Sequence, residues 1–314
     1  MSLERALELA ERGRGTVEKT HPLVGAVLVR DGETVGEGWY AGRGSRHAEV
    51  AALDEAGERA RGATLFVSLE PCSHHGTTPP CADAVVEAGV ARVVAAVGDP
   101  NPKVDGRGFE RLRSAGIEVE VEDLWEARQQ NESWRVWIAR GRPFVTYKVA
   151  MTLDGRVTVP GSRWVSGDES RRRVHELRAA SDAVGVGMGT VRTDDPALTA
   201  RGVGAEKQPR RLVFGRGPLP GGSELELRSG PLEEELAALA ADGVRSLLLE
   251  GGPTLATGFL SADLVDKVLA FVAPTLAGEG SAAFTSLPGP RLLSRLSSAP
   301  VGEDVLLTAY VHEP

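Results

Sequence analysis

The sequence predicts an α/β protein built from two domains. Its 314 residues are enough for two hydrophobic cores of ordinary size. Short apolar segments typical of strands alternate with amphipathic segments typical of helices, which is the pattern of layered α/β folds. A polar, helical segment over residues 123–140 ends at Gly141-Arg142-Pro143. We therefore expect a first domain over residues 1–141 and a second over residues 142–314.

The first domain is expected to be a three-layer α/β sandwich. A helix over residues 3–13 precedes two strands, 24–30 and 34–40, which a turn containing Asp31-Gly32 joins as a hairpin. Strands and helices then alternate, as a layered fold requires. The further elements expected are helix 46–60, strand 63–69, helix 79–89, strand 91–97, helix 106–115, strand 117–121 and one connecting helix, 123–140.

The second domain continues the alternation and adds two glycine-rich turns. Gly187-Met188-Gly189-Thr190 and Gly251-Gly252-Pro253-Thr254 each follow an apolar strand. Such turns bind phosphates and dinucleotides in open parallel sheets when backbone amides face the ligand. Neither matches G-x-G-x-x-G, so a turn that merely joins strand to helix explains them equally well. The elements expected are strands 143–150, 181–186, 211–214, 244–249, 264–272 and 304–311, with helices 168–180 and 231–241.

Four polar residues of the first domain predict a catalytic zinc site. Catalytic zinc takes three protein ligands and leaves a fourth position for water, so His47, Cys72 and Cys81 would suffice. The expected helix start at Cys81 should lower the pKa of its thiol. Glu49, two residues from the histidine, is then free to move protons between water and a leaving amine, as in the H-x-E signature of zinc deaminases.

The alternative interpretation of the same residues is structural. Cys72 and Cys81 could be ordinary buried residues or a single disulfide, and His47 a hydrogen-bonded core histidine. The chain has only these two cysteines, so no disulfide framework remains if both bind metal. Eight residues separate them, whereas most deaminase sites have two.

The charge balance argues against nucleic acid as a partner. Lys plus Arg number 36 against 44 Asp plus Glu, a net charge of −8, so the surface as a whole repels phosphate backbones. No apolar segment approaches membrane-spanning length, and residues 1–14 lack the apolar core of a signal peptide. We expect a cytoplasmic protein without membrane contact that acts on a small molecule, since free thiols persist in that compartment.

Motifs along nearly the whole chain resemble those of one family, the bifunctional deaminase/reductases of riboflavin biosynthesis. The first-domain motifs are His47-Ala48-Glu49, Glu70-Pro71-Cys72-Ser73-His74, Thr78-Pro79-Pro80-Cys81 and Asp99-Pro100-Asn101-Pro102. The second-domain motifs are residues 148–155, Trp164, Gly187-Met188-Gly189-Thr190, Thr193-Asp194-Asp195-Pro196 with Leu198, and Glu250-Gly251-Gly252. Agreement at so many places, in order, is not expected by chance.

The resemblance implies two successive reactions on a phosphoribosylaminopyrimidine. In a cytidine-deaminase-like first domain, zinc-dependent hydrolysis releases the ring amine of 2,5-diamino-6-(phosphoribosylamino)pyrimidinone, with Glu49 as the catalytic residue. In a dihydrofolate-reductase-like α/β second domain, NADPH reduces the ribosyl group to a ribityl chain. We also expect a homo-oligomer that forms through the reductase domain.

The resemblance also assigns residues to each site. Substrate contacts in the deaminase site are expected from His21, His74, Asp99 and Asn101. Contacts with NADPH are expected from Ala150, Trp164, Thr190, Asp194 and Gly252, the last in a turn that extends to Gly258. The reductase substrate is expected to meet Lys148, Asp154, Ser162, Arg178, Leu198, Arg201 and Glu250, with the arginines binding its phosphate.

The chain departs from the family pattern at three positions around the deaminase site. It has His21 where asparagine is usual, Tyr40 where histidine is common, and Thr77 where a basic residue is usual. Loss of a basic residue removes a phosphate partner worth about 1.5–3 kcal/mol. A paralogue that deaminates a different aminopyrimidine or related heterocycle is therefore the alternative function. A third is a non-catalytic protein with a structural zinc, which Glu49 argues against because a closed structural site needs no poised carboxylate.

Another departure is a shorter segment between Arg201 and Glu250. It is expected to lack a helix and a strand that help to enclose the adenosine end of NADPH in the family. Arg216 in this segment is either a ligand of a 2′-phosphate or a solvated loop residue.

Overall fold

The protein forms two compact units, each with its own sheet. The computed structural model describes residues 2–17, 20–74, 79–285 and 287–314. The units comprise Met1–Arg140 with Pro314, and Gly141–Glu313. None of the described helices has the length and apolar content needed to span a membrane.

The first unit is a five-stranded sheet with flanking helices. Its described elements are α1 (Ser2–Glu11), β1 (Gly25–Arg30), β2 (Glu33–Trp39), α2 (Ala48–Ala56), β3 (Thr64–Val67), α3 (Cys81–Glu87), β4 (Arg92–Ala95), α4 (Arg107–Ser114), β5 (Glu118–Val121), α5 (Trp125–Gln130) and α6 (Glu132–Arg140). The strand order is β2-β1-β3-β4-β5. The pairs that include β1 are antiparallel, and β3, β4 and β5 are parallel.

Side chains of β1 point alternately into two cores. Ala26 and Leu28 pack in the larger core with residues of α2, α3 and α4. Val27, between them, packs with Ala6 and Leu9 of α1 on the opposite face. Because successive side chains of a strand face opposite ways, one apolar strand fills both cores. The expected three-layer sandwich is confirmed.

Two glycines of β2 let α2 approach the sheet closely. A Cβ on Gly36 would lie 2.2 Å from the carbonyl oxygen of Ala52, and one on Gly38 would lie 2.2 Å from that of Ala48. Any larger residue at either position would push the helix away from the strand. The start of α2, where a zinc ligand is predicted, is therefore fixed against the sheet.

The expectation of one connecting helix over residues 123–140 is wrong. Two helices, α5 and α6, meet at Asn131, whose backbone leaves helical geometry (φ −111°, ψ 20°). The Asn131 side chain is buried, and its amide hydrogen-bonds both backbone groups of Leu23. The break between α5 and α6 thus coincides with a contact to Leu23, which is distant in sequence, and the local hydrophobic periodicity does not indicate such a contact.

The second unit is an eight-stranded, mostly parallel sheet. Its described elements are β6 (Phe144–Thr152), α7 (Asp168–Ala180), β7 (Ala183–Gly187), α8 (Met188–Asp194), β8 (Arg210–Phe214), β9 (Glu226–Arg228), α9 (Leu232–Ala241), β10 (Ser246–Leu249), α10 (Pro253–Ser261), β11 (Lys267–Ala273), β12 (Ser294–Val301) and β13 (Asp304–Tyr310). The strand order is β12-β13-β11-β6-β10-β7-β8-β9. The two pairs that include β13 are antiparallel and the others are parallel.

The sheet of the second unit is also covered on both faces. Leu247 and Leu249 of β10 pack with residues of α9 and α10. Leu248 packs on the opposite face with Val191 of α8. In such sheets ligands bind beyond the carboxyl ends of the parallel strands. The turns after β6, β7 and β10 are therefore where a ligand is expected.

Three elements of the second unit were not expected: α8, β9 and β12. The first glycine-rich turn is the beginning of α8, and β9 lies in the segment expected to be short of a strand. The edge strand β12 is exposed on both faces, with Leu296 71% exposed. It lacks the apolar alternation that marks a half-buried strand, and its Pro300 suits an edge position.

Candidate active sites

The predicted zinc ligands come from three elements and meet at one point. His47 caps the start of α2, Cys72 follows β3, and Cys81 is the first residue of α3. Nδ1 of His47 lies 3.1 Å from Sγ of Cys81 and 3.7 Å from Sγ of Cys72, and all three ligand atoms lie within 4.8 Å of one another. Tetrahedral zinc spaces such ligand atoms about 3.5–3.8 Å apart. The donor set and its spacing therefore fit zinc.

The side chains of Cys72 and Cys81 are joined by a hydrogen bond. A hydrogen bond from the Cys81 thiol lowers the pKa of Cys72 to about 4, and His47 acts in the same direction. The same hydrogen bond, together with burial, raises the pKa of Cys81. The neighbouring thiol of Cys72 thus opposes the lowering of the pKa of Cys81 that is expected from its helix start. A dication at this point would favour the second thiolate as well.

Glu49 lies in the first turn of α2 and is only 3% exposed. Burial raises its pKa to about 7, and the charge of Cys72 adds to the effect. A carboxyl group with a pKa near neutrality can both accept and donate a proton at working pH. Glu49 therefore has the environment that a proton carrier beside the ligand cluster needs.

A row of aromatic rings leads to His47, one of the predicted zinc ligands. The ring of His21 lies 5.5 Å from that of Tyr40, and the Tyr40 ring meets His47 edge-on at 5.6 Å. His21 and His74 are exposed, whereas Tyr40 is buried. The structure thus brings two of the three unusual positions together beside the cluster. The third, Thr77, lies outside the described residues.

Glu70, a buried carboxylate for which no role was predicted, organises the loop that carries Asp99 and Asn101. Its oxygens accept hydrogen bonds from the N–H groups of Asp99 (3.2 Å) and Gly108 (2.9 Å). Asn101 N–H in turn donates to the Asp99 carboxylate at 2.7 Å. Burial raises the pKa of Asp99 to about 7. Because Glu70 is two residues from Cys72, it ties this loop to the zinc ligands. The sequence feature that could have pointed to Glu70 is its position as an acidic residue directly after the expected apolar strand 63–69.

In the second unit, Arg178 and Glu250 form a largely buried ion pair. Arg178 Nε and Nη2 donate to the two carboxylate oxygens at 2.6 and 2.9 Å, and Nη1 donates to the Thr199 carbonyl. Burial lowers the pKa of Lys148, and the negative charge of Glu250 partly offsets this lowering. Two cations therefore interact with one carboxylate. The guanidinium of Arg178 is engaged inside the protein, which counts against its expected role as a phosphate ligand.

The expected substrate contact of the Leu198 side chain is also corrected. Leu198 is 2% exposed and packs in a core with Val184 and Val213, so its side chain cannot face a ligand. Its backbone has a positive φ of 53°. Arg201, three residues later, is exposed, and its N–H points to Nδ1 of His175 at 3.2 Å. Arg201 is thus the arginine of this set that is open to an anion.

Asp154 and Ser162 bind backbone in this structure. Asp154 accepts hydrogen bonds from Thr152 Oγ1 and from two consecutive N–H groups beginning at Ala277, which lower its pKa to about 2. Oγ of Ser162 donates to the carbonyl of Trp164 at 2.8 Å. Both side chains therefore shape the turns around the site, and both keep a solvent-exposed side, which is larger for Ser162 than for Asp154.

Three predicted cofactor residues lie at the ends of three adjacent strands. Ala150 is near the end of β6, Thr190 is in α8 after β7, and Gly252 caps α10 after β10. A Cβ on Gly252 would lie 4.0 Å from Oγ1 of Thr190, so the two helix starts adjoin. Backbone N–H groups at helix starts suit a pyrophosphate. The cradle therefore fits a dinucleotide such as NADPH.

The other predicted cofactor residues are exposed. Trp164 is 54% exposed, and the guanidinium carbons of Arg163 and Arg171 lie 5.0 and 5.2 Å from its ring centre. Asp194 ends α8, and Arg216 lies in the exposed loop after β8. These groups are available to a ligand, but the structure does not join them into one cluster.

Both halves of the chain match family models. Residues 2–97 match the cytidine and deoxycytidylate deaminase zinc-binding region. Residues 143–220 and 224–307 match the RibD C-terminal domain.

Several relatives match nearly end to end. The riboflavin biosynthesis protein RibD of Aquifex aeolicus is 41% identical over 88% of this chain and 87% of that protein. Its Escherichia coli counterpart is 39% identical over 97% of each chain. Among solved structures, RibD of Acinetobacter baumannii superposes with a TM-score of 0.81 at 36% identity, covering 98% of this chain and 97% of that chain. A deaminase/reductase of Thermotoga maritima gives 0.79 at 33% identity with the same coverage.

The fold and the two sites define a bifunctional enzyme with a zinc-dependent deaminase unit and an NADPH-dependent reductase unit. The chain belongs to the RibD family of riboflavin biosynthesis proteins. The resemblance drawn from the sequence motifs is confirmed, together with the two domain folds and the two cofactors. The roles of individual residues remain predictions.

Proposed function

We propose that the first unit deaminates a diaminohydroxyphosphoribosylaminopyrimidine and that the second reduces the resulting 5-amino-6-(5-phosphoribosylamino)uracil. The Thermotoga maritima relative is described as the deaminase and the reductase of these compounds. The observation that carries the proposal is the cluster of His47, Cys72 and Cys81 with the buried carboxyl group of Glu49 beside it.

Glu49 is the proposed proton carrier of the deamination. Zinc, when bound, supplies a Lewis acid that lowers the pKa of water to about 7. Glu49 takes a proton from the attacking water and delivers it to the leaving amine, so that ammonia departs. Its pKa of about 7 suits both transfers.

Contacts with the pyrimidine and its phosphate are proposed for His21, His74, Asp99 and Asn101. His21 and Tyr40 form one wall of the site by their ring contact. Asp99, with its pKa raised to about 7, retains a proton near neutrality and can donate a hydrogen bond to the ring.

In the reductase unit, NADPH would, when bound, be the source of the hydride that reduces the first carbon of the opened sugar, and a proton from water would complete the reduction at nitrogen. We assign cofactor binding to the cradle of Thr190 and Gly252, with Ala150, Trp164 and Asp194 around it. Lys148 and Glu250 are the proposed polar groups at the substrate, and Arg201 is the proposed phosphate ligand. Arg178, which Glu250 and the Thr199 carbonyl hold, is a positioning residue.

The oligomer is proposed to form through the reductase unit. Among the described strands, β12 is at the edge of the sheet and pairs only with β13, and Leu292, Leu293 and Leu296 before and within it are exposed. An exposed edge with apolar residues is the surface that a second copy would cover. A cytoplasmic location is proposed because both cysteines are free thiols that zinc requires reduced.

A second candidate function is deamination of a related heterocycle without the phosphate. The contact between His21 and Tyr40 favours it, since both residues are unusual at these positions.

The experiment is a coupled assay of the zinc-loaded full chain. With the phosphorylated diaminopyrimidine and NADPH, ammonia release should precede NADPH consumption. Absence of both would refute the proposed function. Equal turnover of the unphosphorylated compound would establish the second candidate instead.

A further inference from the structure

The junction between α5 and α6 connects the two loops that carry the proposed deaminase contacts. We propose that Asn131 and Arg135, at this junction, are positioning residues that hold the segment of His21 and the loop of Asp99 in place relative to each other. The inference deepens the proposed deaminase function and rests on it.

Asn131 grips the backbone of the segment before β1. Its Oδ1 accepts the N–H of Leu23 at 2.8 Å, and its Nδ2 donates to the Leu23 carbonyl at 2.9 Å. Asn131 is 5% exposed, so water does not readily replace either bond. Only an amide side chain offers a donor and an acceptor in this arrangement. Leu23 is two residues from His21, so the grip fixes the approach of that residue to the site.

The contacts of the next two residues lead from Leu23 to the zinc cluster. The Val24 carbonyl accepts the N–H of Tyr40 at 3.0 Å, and the Tyr40 ring lies against both His21 and His47. Gly25 N–H donates to Ser68 Oγ at 3.0 Å, on the chain that continues to Cys72. The position of Leu23 therefore determines where the rings of His21 and Tyr40 lie.

Arg135 holds the second loop from the first turn of α6. Its Nη1 donates to the carbonyl of Gly98 at 2.9 Å, one residue before Asp99. The guanidinium is buried, at 9% exposure for the residue, and its charge faces the Asp99 carboxyl. Arg135 thus acts on the geometry of this loop and on the charge around it.

The contacts of Asn131 with Leu23 and of Arg135 with Gly98 form one unit, here called the brace, because the backbone joins the two residues. Arg135 N–H donates to the Asn131 carbonyl at 2.9 Å, so the two side chains leave a single turn. The zinc ligands and Glu49 lie on other elements. Loss of the brace should therefore loosen the substrate loops and leave the metal and the proton carrier in place, and the cost should fall on substrate binding more than on the chemical step.

The test compares N131L and R135M with a matched control in the other unit, Q208M. Gln208 makes the same two-bond grip on the backbone of Ala200. For N131L and R135M, KM for the phosphorylated diaminopyrimidine should rise about tenfold while kcat stays within about threefold. Zinc content and NADPH oxidation with the reductase substrate should stay at wild-type values. Q208M should leave the deaminase KM unchanged.

Two milder variants keep the test valid if N131L folds poorly. N131D retains the acceptor for Leu23 N–H, and R135K retains the charge, so both should give a KM between wild type and the stronger variants. An unchanged KM in folded variants would overturn the positioning role, as would parallel loss of kcat, zinc and folded protein. Wild-type protein that releases no ammonia would instead refute the proposed function.

Discussion

The two active sites of this enzyme are assembled in different ways. The predicted deaminase ligands come from one stretch, residues 47–81: His47 and Cys81 lie at helix starts, and Cys72 lies in the segment between β3 and α3. The reductase residues are spread over residues 148–252 and meet only through the order of the parallel sheet. A site built on local motifs can be recognised in the sequence, whereas a site built by sheet order needs the fold.

The two sites also treat charge differently. In the deaminase unit, burial raises the pKa of Glu49 and of Asp99 to about 7, although the charges of His47 and Arg135, respectively, act in the opposite direction. In the reductase unit, Glu250 is buried with Arg178 as its ion-pair partner, and Asp154 is hydrogen-bonded at a pKa of about 2. The first arrangement suits proton transfer and the second suits a fixed geometry, as hydride transfer from a bound cofactor requires.

The largest expected effect is on deamination by E49Q. Removing the proton carrier should lower kcat by about 10²–10⁴-fold, with zinc content and reductase activity unchanged. The exposed Glu58, in the short 3-10 helix Gly57–Ala60 that follows α2, gives the control E58Q, which should retain full activity. Loss of zinc together with activity would show that Glu49 has a structural role. The deaminase carboxyl group would then not differ in function from the carboxylates that fix geometry in the reductase unit.

Zinc removal should separate the stabilities of the two units. Chelation should destabilise the first unit by about 4 kcal/mol relative to zinc at about 1,000 times its Kd, because only the folded unit presents the ligand cluster. Calorimetry should show one unfolding transition that moves with zinc and one that does not. A shift of both transitions by the same amount would mean that the units unfold together.

E250Q tests the ion pair of the reductase unit. It leaves the guanidinium of Arg178 buried without its partner, so the second unit should lose about 3–5 kcal/mol and NADPH oxidation should fall. The control is E226Q, which breaks a similarly paired but more exposed contact with Arg210 and should cost about 1 kcal/mol or less. Urea unfolding measures the loss of stability in both variants. Equal losses would show that burial does not make the pair of Arg178 and Glu250 more important than the exposed pair.

The smallest expected effects are opposite pH dependences for D99N and D154N. The pKa of Asp99 is raised to about 7, so its contribution to stability is complete below pH 3.8 and is lost as pH rises through 7. D99N should therefore stabilise the protein at pH 8, by on the order of 2 kcal/mol, and not at pH 3.5.

Asp154 has the reverse sign. Its pKa is lowered to about 2, so its contribution is present above pH 3.8 and is lost as pH falls through 2. D154N should destabilise the protein at pH 8 and have little effect at pH 2. Thermal melts across this pH range measure both variants, and the same sign for the two would contradict the contrast.

Most elements followed from local patterns, and the failures have physical reasons. The apolar strands and the helix starts at residues 48 and 81 lie within two residues of their expected positions, except that β11 begins three residues later than expected. The break at Asn131 was missed because its cause, Leu23, is distant in sequence. The edge strand β12 was missed because an exposed strand needs no apolar alternation.

The site residues divide in the same way. The sequence correctly indicated that His47, Cys72 and Cys81 could meet, because ligand type and motif are local properties. It did not indicate that Arg178 would form a buried ion pair with Glu250 or that Leu198 would be buried. Those outcomes depend on which side chains face each other across the sheet.

By itself the sequence determined the family, because the motifs that identify it consist of particular residue types at fixed spacing. The resemblance to that family then implied both cofactors, and the motif residues predicted the cluster of His47, Cys72 and Cys81. Only the tertiary structure decided which carboxyl groups hold a proton near neutral pH, which arginine is open to an anion, and how Asn131 and Arg135 link two loops. The physical reason is that desolvation and ion pairing depend on neighbours distant in sequence, and local periodicity contains no information about them.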